Sequence, residues 1–363
     1  MTVPLKDLLF QIVKERGSDL HLKVGSPPIM RIDGKLVRTE EEPLTAEDCE
    51  FYKEEILNDT QRRGFEERSE IDVPYTLPGV SRFRVNIARE RGNVRITMRL
   101  IPLKISTLED LNLPKVLFDI CKKNYGLVLV TGPTGSGKTT TLSAMVTEIN
   151  SKYPLHIVTI EDPIEFVHED KVGLVTQRQL GIDTHSFLDA LRTVVRQDPN
   201  VILVGEMRDA DTVRAAISAA ETGHLVFSTL HTGDAVETIN RLMDYFPQSE
   251  QKLMRAKLAA CLRAVVSQRL VPRQEGKGRV AAVEILVVTT LVREIVREGQ
   301  EISRIGKLME EGEEVYGTQT FDRALYNLWK QGLISQATAL DNASSPQDLS
   351  LKFRGLVSAT TGR

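Results

Sequence analysis

Apolar residues recur along this chain at different periods, and each period predicts a different kind of element. Leu5, Leu8, Leu9, Ile12 and Val13 fall at helical spacing between Pro4 and Glu15, and Gly17 ends the run. The stretch "PIMRIDGKLVR" then sets Asp33-Gly34 between two alternating runs, the pattern of a tight hairpin. A helix over residues 46–57 is expected next, with Thr45 as its N-cap. In "SRFRVNIARERGNVRITMRLIP", Phe83, Val85 and Ile87 alternate with Arg82, Arg84 and Asn86. After a turn at Gly92-Asn93, Val94, Ile96, Met98 and Leu100 alternate with Arg95, Thr97 and Arg99. Period two puts the apolar set on one face and the arginines on the other, with no acid interleaved, so this face asks for an anion.

The period is lost over residues 102–114, where prolines stand near both ends, and this stretch reads as a linker between a domain at 1–101 and a second at 115–363. Beyond it the apolar runs "GLVLV", "HIVTI", "VILVG" and "LVFSTL" are nearly continuous and are separated by helical patterns, one starting at about Lys138 and one over 211–221. Strands of that kind belong to a mostly parallel sheet covered on both faces. From about 250 to 363 the chain reads as mainly helical, with Trp329, Phe321, Leu325 and Leu328 on one core-forming stripe.

Composition narrows the function classes. A chain of 363 residues, 41% hydrophobic, has enough apolar material for about two domains. Its net charge of -3 offers no global field for nucleic acid, and 5% aromatic content is thin for a stacking channel. Cys49, Cys121 and Cys261 are odd in number and widely spaced, which fits neither a disulfide framework nor a CxxC metal site. The opening MTVPLKDLLF lacks a signal-peptide layout and no apolar run reaches the roughly 20 residues of a membrane span, so a cytoplasmic chain without direct membrane insertion is expected.

The chemistry starts at Gly132-Pro133-Thr134-Gly135-Ser136-Gly137-Lys138-Thr139, which fits G-x-x-x-x-G-K-[ST] between an apolar strand and a helix. Glycines let backbone N–H groups turn toward phosphate oxygens, and the helix N-terminus adds its dipole. Lys138 is expected on the β- and γ-phosphates, the Thr139 hydroxyl on Mg2+, and Thr134 to Thr140 around the nucleotide. "VILVGEMRD" ends a strand at Gly205-Glu206, where a carboxylate can orient or deprotonate the attacking water. "VTIEDPIEF" ends another at Glu161-Asp162, either of which can hold Mg2+ through water or share the work of a base; a turn acid capping the strand is the bland alternative. His231 follows the strand "LVFSTL" on the ligand-binding edge and His224 precedes it. Arg192 and Arg196 share the polar side of an amphipathic helix, where a solvated face is the simplest reading.

Together these segments resemble the secretion-superfamily ATPases of type II and type IV machines, and among them the type IV pilus retraction ATPases. "GSDLHLKVGSPPIMRIDGKL" is similar to the N-terminal signature of that family, "GLVLVTGPTGSGKTTT" to its Walker A, "IVTIEDPIEF" to its Asp box, "VILVGEMRD" to its atypical Walker B and "TGHLVFSTLHT" to its His box. The resemblance implies a PAS-like α+β domain, a RecA-like P-loop NTPase domain with a helical C-terminal part, and a homohexamer that holds ATP between domains. It implies Glu206 as general base, Glu161 as an Asp-box acid, and His224 and His231 in coupling or sensing. Arg84 and Arg99 match arginines that reach the phosphates, and Arg192 and Arg196 match further arginines of the catalytic domain. The implied partners are an inner-membrane pilus platform protein and a paralogous ATPase, with no nucleic acid. Three scattered cysteines exclude the tetracysteine zinc insertion usual in assembly and type II secretion ATPases. "GTQTFDRALYNLWKQGLISQATAL" is like the C-terminus of retraction ATPases and their close paralogue, while "LVREIVRE" keeps Arg293 and Arg297 of the family's AIRNLIRE and departs from it at Leu291 and Glu294. The rival classes are an accessory paralogue, a nucleic-acid motor, and a regulatory subunit that binds nucleotide with little turnover. Intact Lys138, Thr139 and Glu206 speak against the last.

Overall fold

The structure is a computed structural model that describes residues 3–15, 17–32, 34–101, 105–276 and 278–356. It divides into two compact units, residues 1–104 and 105–363.

Among the described residues the first unit is one antiparallel sheet carrying three helices. Its strands β1 (Asp19–Lys23), β2 (Ile29–Ile32), β3 (Lys35–Arg38), β4 (Glu70–Leu77), β5 (Ser81–Glu90) and β6 (Asn93–Ile101) lie in the order β3-β2-β1-β6-β5-β4. Helices α1 (Leu5–Lys14), α2 (Ala46–Ile56) and α3 (Asp59–Arg68) supply the other half of its core. Thr45 and Asp48 form a reciprocal cap on α2, which satisfies N–H groups the first turn would otherwise leave orphaned. The alternation in β5 and β6 is expressed fully: Phe83, Val85, Ile87, Ile96 and Met98 are completely buried, and Arg84 and Arg99 are exposed. Glu90 pairs with Asn93, so the tight turn is Arg91-Gly92 rather than Gly92-Asn93. Both turn residues have positive φ, 52° and 83°, the mirror-image geometry whose twist suits a two-residue hairpin. The hairpin of β2 and β3 pairs Ile32 with Lys35 around Gly34 at φ 80°. Its other turn residue, Asp33, lies outside the described residues.

The expected linker takes a different form. Residues 102–104 lie outside the described residues, and 105–114 belong to the second unit, where Leu108 and Leu113 are buried against Leu117 and Val130. Two leucines in a stretch without periodicity are enough to fasten it to a core.

The second unit is built on a seven-stranded sheet in the order β13-β12-β7-β11-β10-β8-β9. Strands β7 (Gly126–Thr131), β8 (His156–Glu161), β9 (Leu174–Gln179), β10 (Val201–Val204), β11 (Leu225–Leu230) and β12 (Leu262–Pro272) run parallel to their neighbours, and β13 (Arg279–Val287) closes one edge antiparallel to β12. Alternate residues of the same strands feed two cores. Leu127, Leu129, Val158, Ile160 and Ile202 face one, which holds helices α6 (Phe187–Val194) to α11 (Arg304–Glu311). Val128, Val130, Ile157, Val201 and Leu203 face the other, with α4 (Val116–Cys121) and α5 (Lys138–Lys152). The intervening helices are α7 (Ala210–Glu221), α8 (Ala235–Asp244), α9 (Gln248–Cys261) and α10 (Thr290–Glu298). A separate cluster around Phe321, Leu325 and Leu328 joins α13 (Phe321–Lys330), α14 (Gln336–Asp341) and α15 (Pro346–Phe353) to β12 and β13, after the short α12 (Glu313–Tyr316).

The chain beyond 250 is mainly helical, as expected, but it also contains β12 and β13, which the sequence did not reveal. Both are buried on two faces, and a strand of that kind loses the alternation that would reveal it.

Candidate active site

The loop between β7 and α5 is shaped by close approaches that only glycine permits. A Cβ on Gly132, at φ 140°, would stand 2.3 Å from the Gln268 carbonyl oxygen, and one on Gly137, at φ 89°, would stand 2.8 Å from the Gln268 side chain. Gln268, buried in β12, donates to the Ser136 carbonyl at 2.7 Å and accepts from the Thr141 hydroxyl at 2.8 Å. The loop is thus braced from a strand that sequence periodicity does not disclose. Lys138 Nζ donates to the carbonyl oxygens of Gly132 and Pro133 at 2.8 and 3.1 Å, and burial draws its ammonium below the usual lysine range. The Ser136 hydroxyl is buried without a hydrogen-bond partner, inside a loop whose backbone is built for anions.

Parallel strands bring their C-terminal ends to one edge, and there the remaining groups collect. Thr134, Gly135, Lys138 and Thr139 line a cavity of about 460 Å³ together with Glu161, Asp162, Glu206 and His231. Ser136 and Gly137 of the same loop and Thr140 of α5 do not line it, and neither do His224, Arg192 or Arg196. His224 sits at the far end of β11, its Nδ1 2.9 Å from the Ala219 carbonyl oxygen. Helix α6 stops at Val194, so Arg192 and Arg196 do not share one continuous helical face; both are exposed.

Gly205 explains why no larger residue precedes the acid. A Cβ there would press on the Ile160 carbonyl oxygen at 3.2 Å, the same oxygen that accepts from the Gly205 N–H at 2.8 Å. The Glu206 carboxylate is 2.8 Å from Arg208 Nη2 through Oε2 and 3.2 Å from His231 Nε2 through Oε1. Burial pushes this carboxyl up, but Arg208 and His231 outweigh it and hold Glu206 below the ordinary carboxylate range. Glu161 has the opposite balance. Burial raises it, the neighbouring Glu165 raises it further, and its partners are the neutral Thr159 hydroxyl at 2.6 Å and Gln177 amide at 3.1 Å. Two acids in one cavity are thereby driven apart in proton affinity, the arrangement by which enzymes separate acid and base roles.

His168, which sequence reasoning did not single out, also lines the cavity. The hydroxyls of Ser143 and Thr147 on α5 flank its ring nitrogens at 3.3 and 3.4 Å, and burial pulls it down to about 4, so it is a neutral strut at pH 7. Arg208 was likewise missed, although its place two residues after Glu206 was visible.

The first unit holds the arginine face. Arg84 and Arg99 stand directly opposite each other in the β5–β6 register. Acids arrive from flanking strands: Asp19 of β1 lies 2.8 Å from Arg99 Nε, and Asp72 of β4 lies 3.9 Å from Arg84 Nε. The acid-free face read from the hairpin alone is therefore incomplete. These four residues line a polar cavity of about 330 Å³ with Asn86 and Thr97.

Comparison with known proteins covers nearly the whole chain. A protein of Pseudomonas aeruginosa named type IV pilus retractation ATPase PilT is 45% identical, covering 95% of this chain and 99% of that one. The same organism's type IV pilus ATPase PilU is 40% identical, covering 96% and 90%. A crystal structure of the pilus retraction motor PilT with bound ADP superposes with a TM-score of 0.89 at 42% identity, covering 96% and 99%. The family model described as Type II/IV secretion system protein matches residues 5–323. With its phosphate loop, paired carboxylates and parallel-sheet edge arranged in this way, the chain belongs to the type II/IV secretion system protein family.

Proposed function

We propose that this chain is an ATP-hydrolysing motor that powers type IV pilus retraction. It works as a homohexamer at the cytoplasmic face of the inner membrane, acting on the pilus machine through a platform protein. The observation that carries this reading is the meeting of Lys138, Thr139, Glu161 and Glu206 in one cavity of a chain 45% identical to a named pilus retraction ATPase. Among the described residues no helix is long and apolar enough to cross a membrane, which suits attachment through a partner.

Glu206 takes the proton of the attacking water, while Lys138 and the loop amides neutralise charge on the phosphates. Mg2+ screens the phosphate charge when bound. Among the described residues no group of three His, Cys, Asp or Glu side chains could hold a metal. The Thr139 hydroxyl would hold the ion beside the nucleotide, and Glu161 or Asp162 would reach it through water. Glu161 fits that role, because a carboxyl pushed up by burial is relieved by a nearby cation. Arg84 and Arg99 add positive charge to the transferring phosphoryl group, a contribution supported by their motif positions and their exposure. His224, His231, Arg192 and Arg196 couple the state of one site to the ring.

Glu206→Gln is expected to lower steady-state ATP turnover by about 10²–10⁴ while nucleotide binding persists; unchanged turnover would remove Glu206 from the mechanism. A strain lacking the chain should accumulate surface pili and lose twitching, restored by the wild type and not by Glu206→Gln. Loss of surface pili instead would reverse the direction of the motor. The reading as an accessory paralogue draws on the 40% identity to PilU, and unaltered piliation in the same strain would favour it.

A further inference from the structure

Arg208 occupies a position that the reading above leaves without a role. Its backbone is fixed from several sides. The Thr229 hydroxyl donates to the Gly205 carbonyl at 2.6 Å, the Tyr245 hydroxyl donates to the Met207 carbonyl at 3.2 Å, and Asp209 caps α7 by accepting from Thr212 N–H at 2.8 Å. The side chain, by contrast, is 63% exposed, lines the same cavity as Lys138 and Thr139, and among the described residues makes one ion pair, with Glu206. A guanidinium so placed can change partner by side-chain rotation alone.

That ion pair bears directly on Glu206. Oε2 faces Arg208 at 2.8 Å and Oε1 faces His231 Nε2 at 3.2 Å, so the Arg208 ion pair orients the carboxylate and weakens it as a base, and its release leaves a stronger one. The terminal phosphate of ATP carries more negative charge than a carboxylate and offers a guanidinium a bidentate partner; ADP lacks that group.

We propose that Arg208 is a latch on Glu206 responsive to the terminal phosphate of ATP: it holds the carboxylate as seen here and transfers to the γ-phosphate, freeing Glu206 for the attacking water. In the step that follows, the water oxygen bonds to the γ-phosphorus and its proton passes to Glu206. The bond from the γ-phosphorus to the bridging oxygen breaks with its electron pair going to ADP. This inference rests on the assignment of Glu206 as base in an ATPase.

The test is equilibrium binding of ADP and of the β,γ-imido analogue of ATP to the full chain and its variants. Arg208→Ala should weaken the analogue by about tenfold or more, the loss of a charge-assisted hydrogen bond, and leave ADP unchanged. Arg208→Lys should recover part of that loss. Glu206→Gln, which releases Arg208 in advance, should bind the analogue more tightly than the wild type, and the gain should vanish in the double variant Arg208→Ala/Glu206→Gln. Equal weakening of ADP and analogue by Arg208→Ala, or a gain that survives in the double variant, overturns the latch. Turnover that ignores Glu206→Gln overturns the parent assignment and the latch with it, whereas turnover that needs Glu206 with an analogue-to-ADP ratio indifferent to Arg208 overturns the latch alone.

Discussion

In the first unit two arginines face each other across β5 and β6; in the second two glutamates stand at the ends of the adjacent strands β8 and β10. Each pair repeats one residue type, and the partners differ. On the first unit's sheet Arg84 lies 3.9 Å from Asp72, and Arg99 lies 2.8 Å from the buried Asp19, which Arg31 also approaches at 3.7 Å, so both arginines have acidic partners. The glutamates are partnered unequally. Glu206 has Arg208 and His231 and stays a ready anion, while Glu161 has neutral partners and is pushed up by burial. Acidic partners leave the two arginines alike in kind. Unequal partners in a cavity make two chemically distinct groups from one residue type.

The contrast collapses if the second unit's cavity holds no phosphate. Lys138→Ala is therefore expected to have the largest effect, a fall in ATP turnover of about 10³ with nucleotide affinity lost, read by turnover and by fluorescent nucleotide titration. If Arg99 serves the phosphates, Arg99→Ala should reduce turnover by about 10² while ADP affinity is retained. Equal loss of ADP binding would make it a structural residue. Gln268→Ala probes a neutral brace in place of ionic ones. It strands the Ser136 carbonyl and the Thr141 hydroxyl, costs about 1–3 kcal/mol in a thermal melt, and loosens nucleotide binding with little dependence on salt.

The smallest effect extends the contrast to a third carboxylate. Glu284 of β13 accepts from Ala235 N–H at 2.8 Å, and burial, with Asp234 and Asp322 nearby, raises it from 4.5 to about 7. An acid whose folded pKa lies above its unfolded one takes up a proton on folding between the two values. Stability from this group therefore falls as pH rises from about 4.5 through about 7 and stays low beyond. Glu284→Gln keeps an acceptor for Ala235 and should flatten this part of the melting temperature against pH.

What the sequence disclosed follows from how local each feature is. The phosphate loop is eight contiguous residues, and Glu161 and Glu206 are fixed by the strands they end, so motif and topology place them at one edge. The arginine face was visible as an alternation, but Asp19 lies 80 residues from Arg99, and only strand register brings them together. Gln268 was hidden for another reason. In "LRAVVSQRLVP" burial on both sides erases period two, so neither the strand nor its one buried amide stood out from a helical background.

Gln268 and Arg269 are neighbours on β12 and point to opposite faces of the sheet. Gln268 grips the phosphate loop; Arg269 lies over the Phe321 ring at 3.9 Å and donates to the Asn342 carbonyl at 3.3 Å, in α13 and at the end of α14. The strand acts as a crossbar at that point. The C-terminal helices and the loop are therefore held by side chains one peptide unit apart on the same strand.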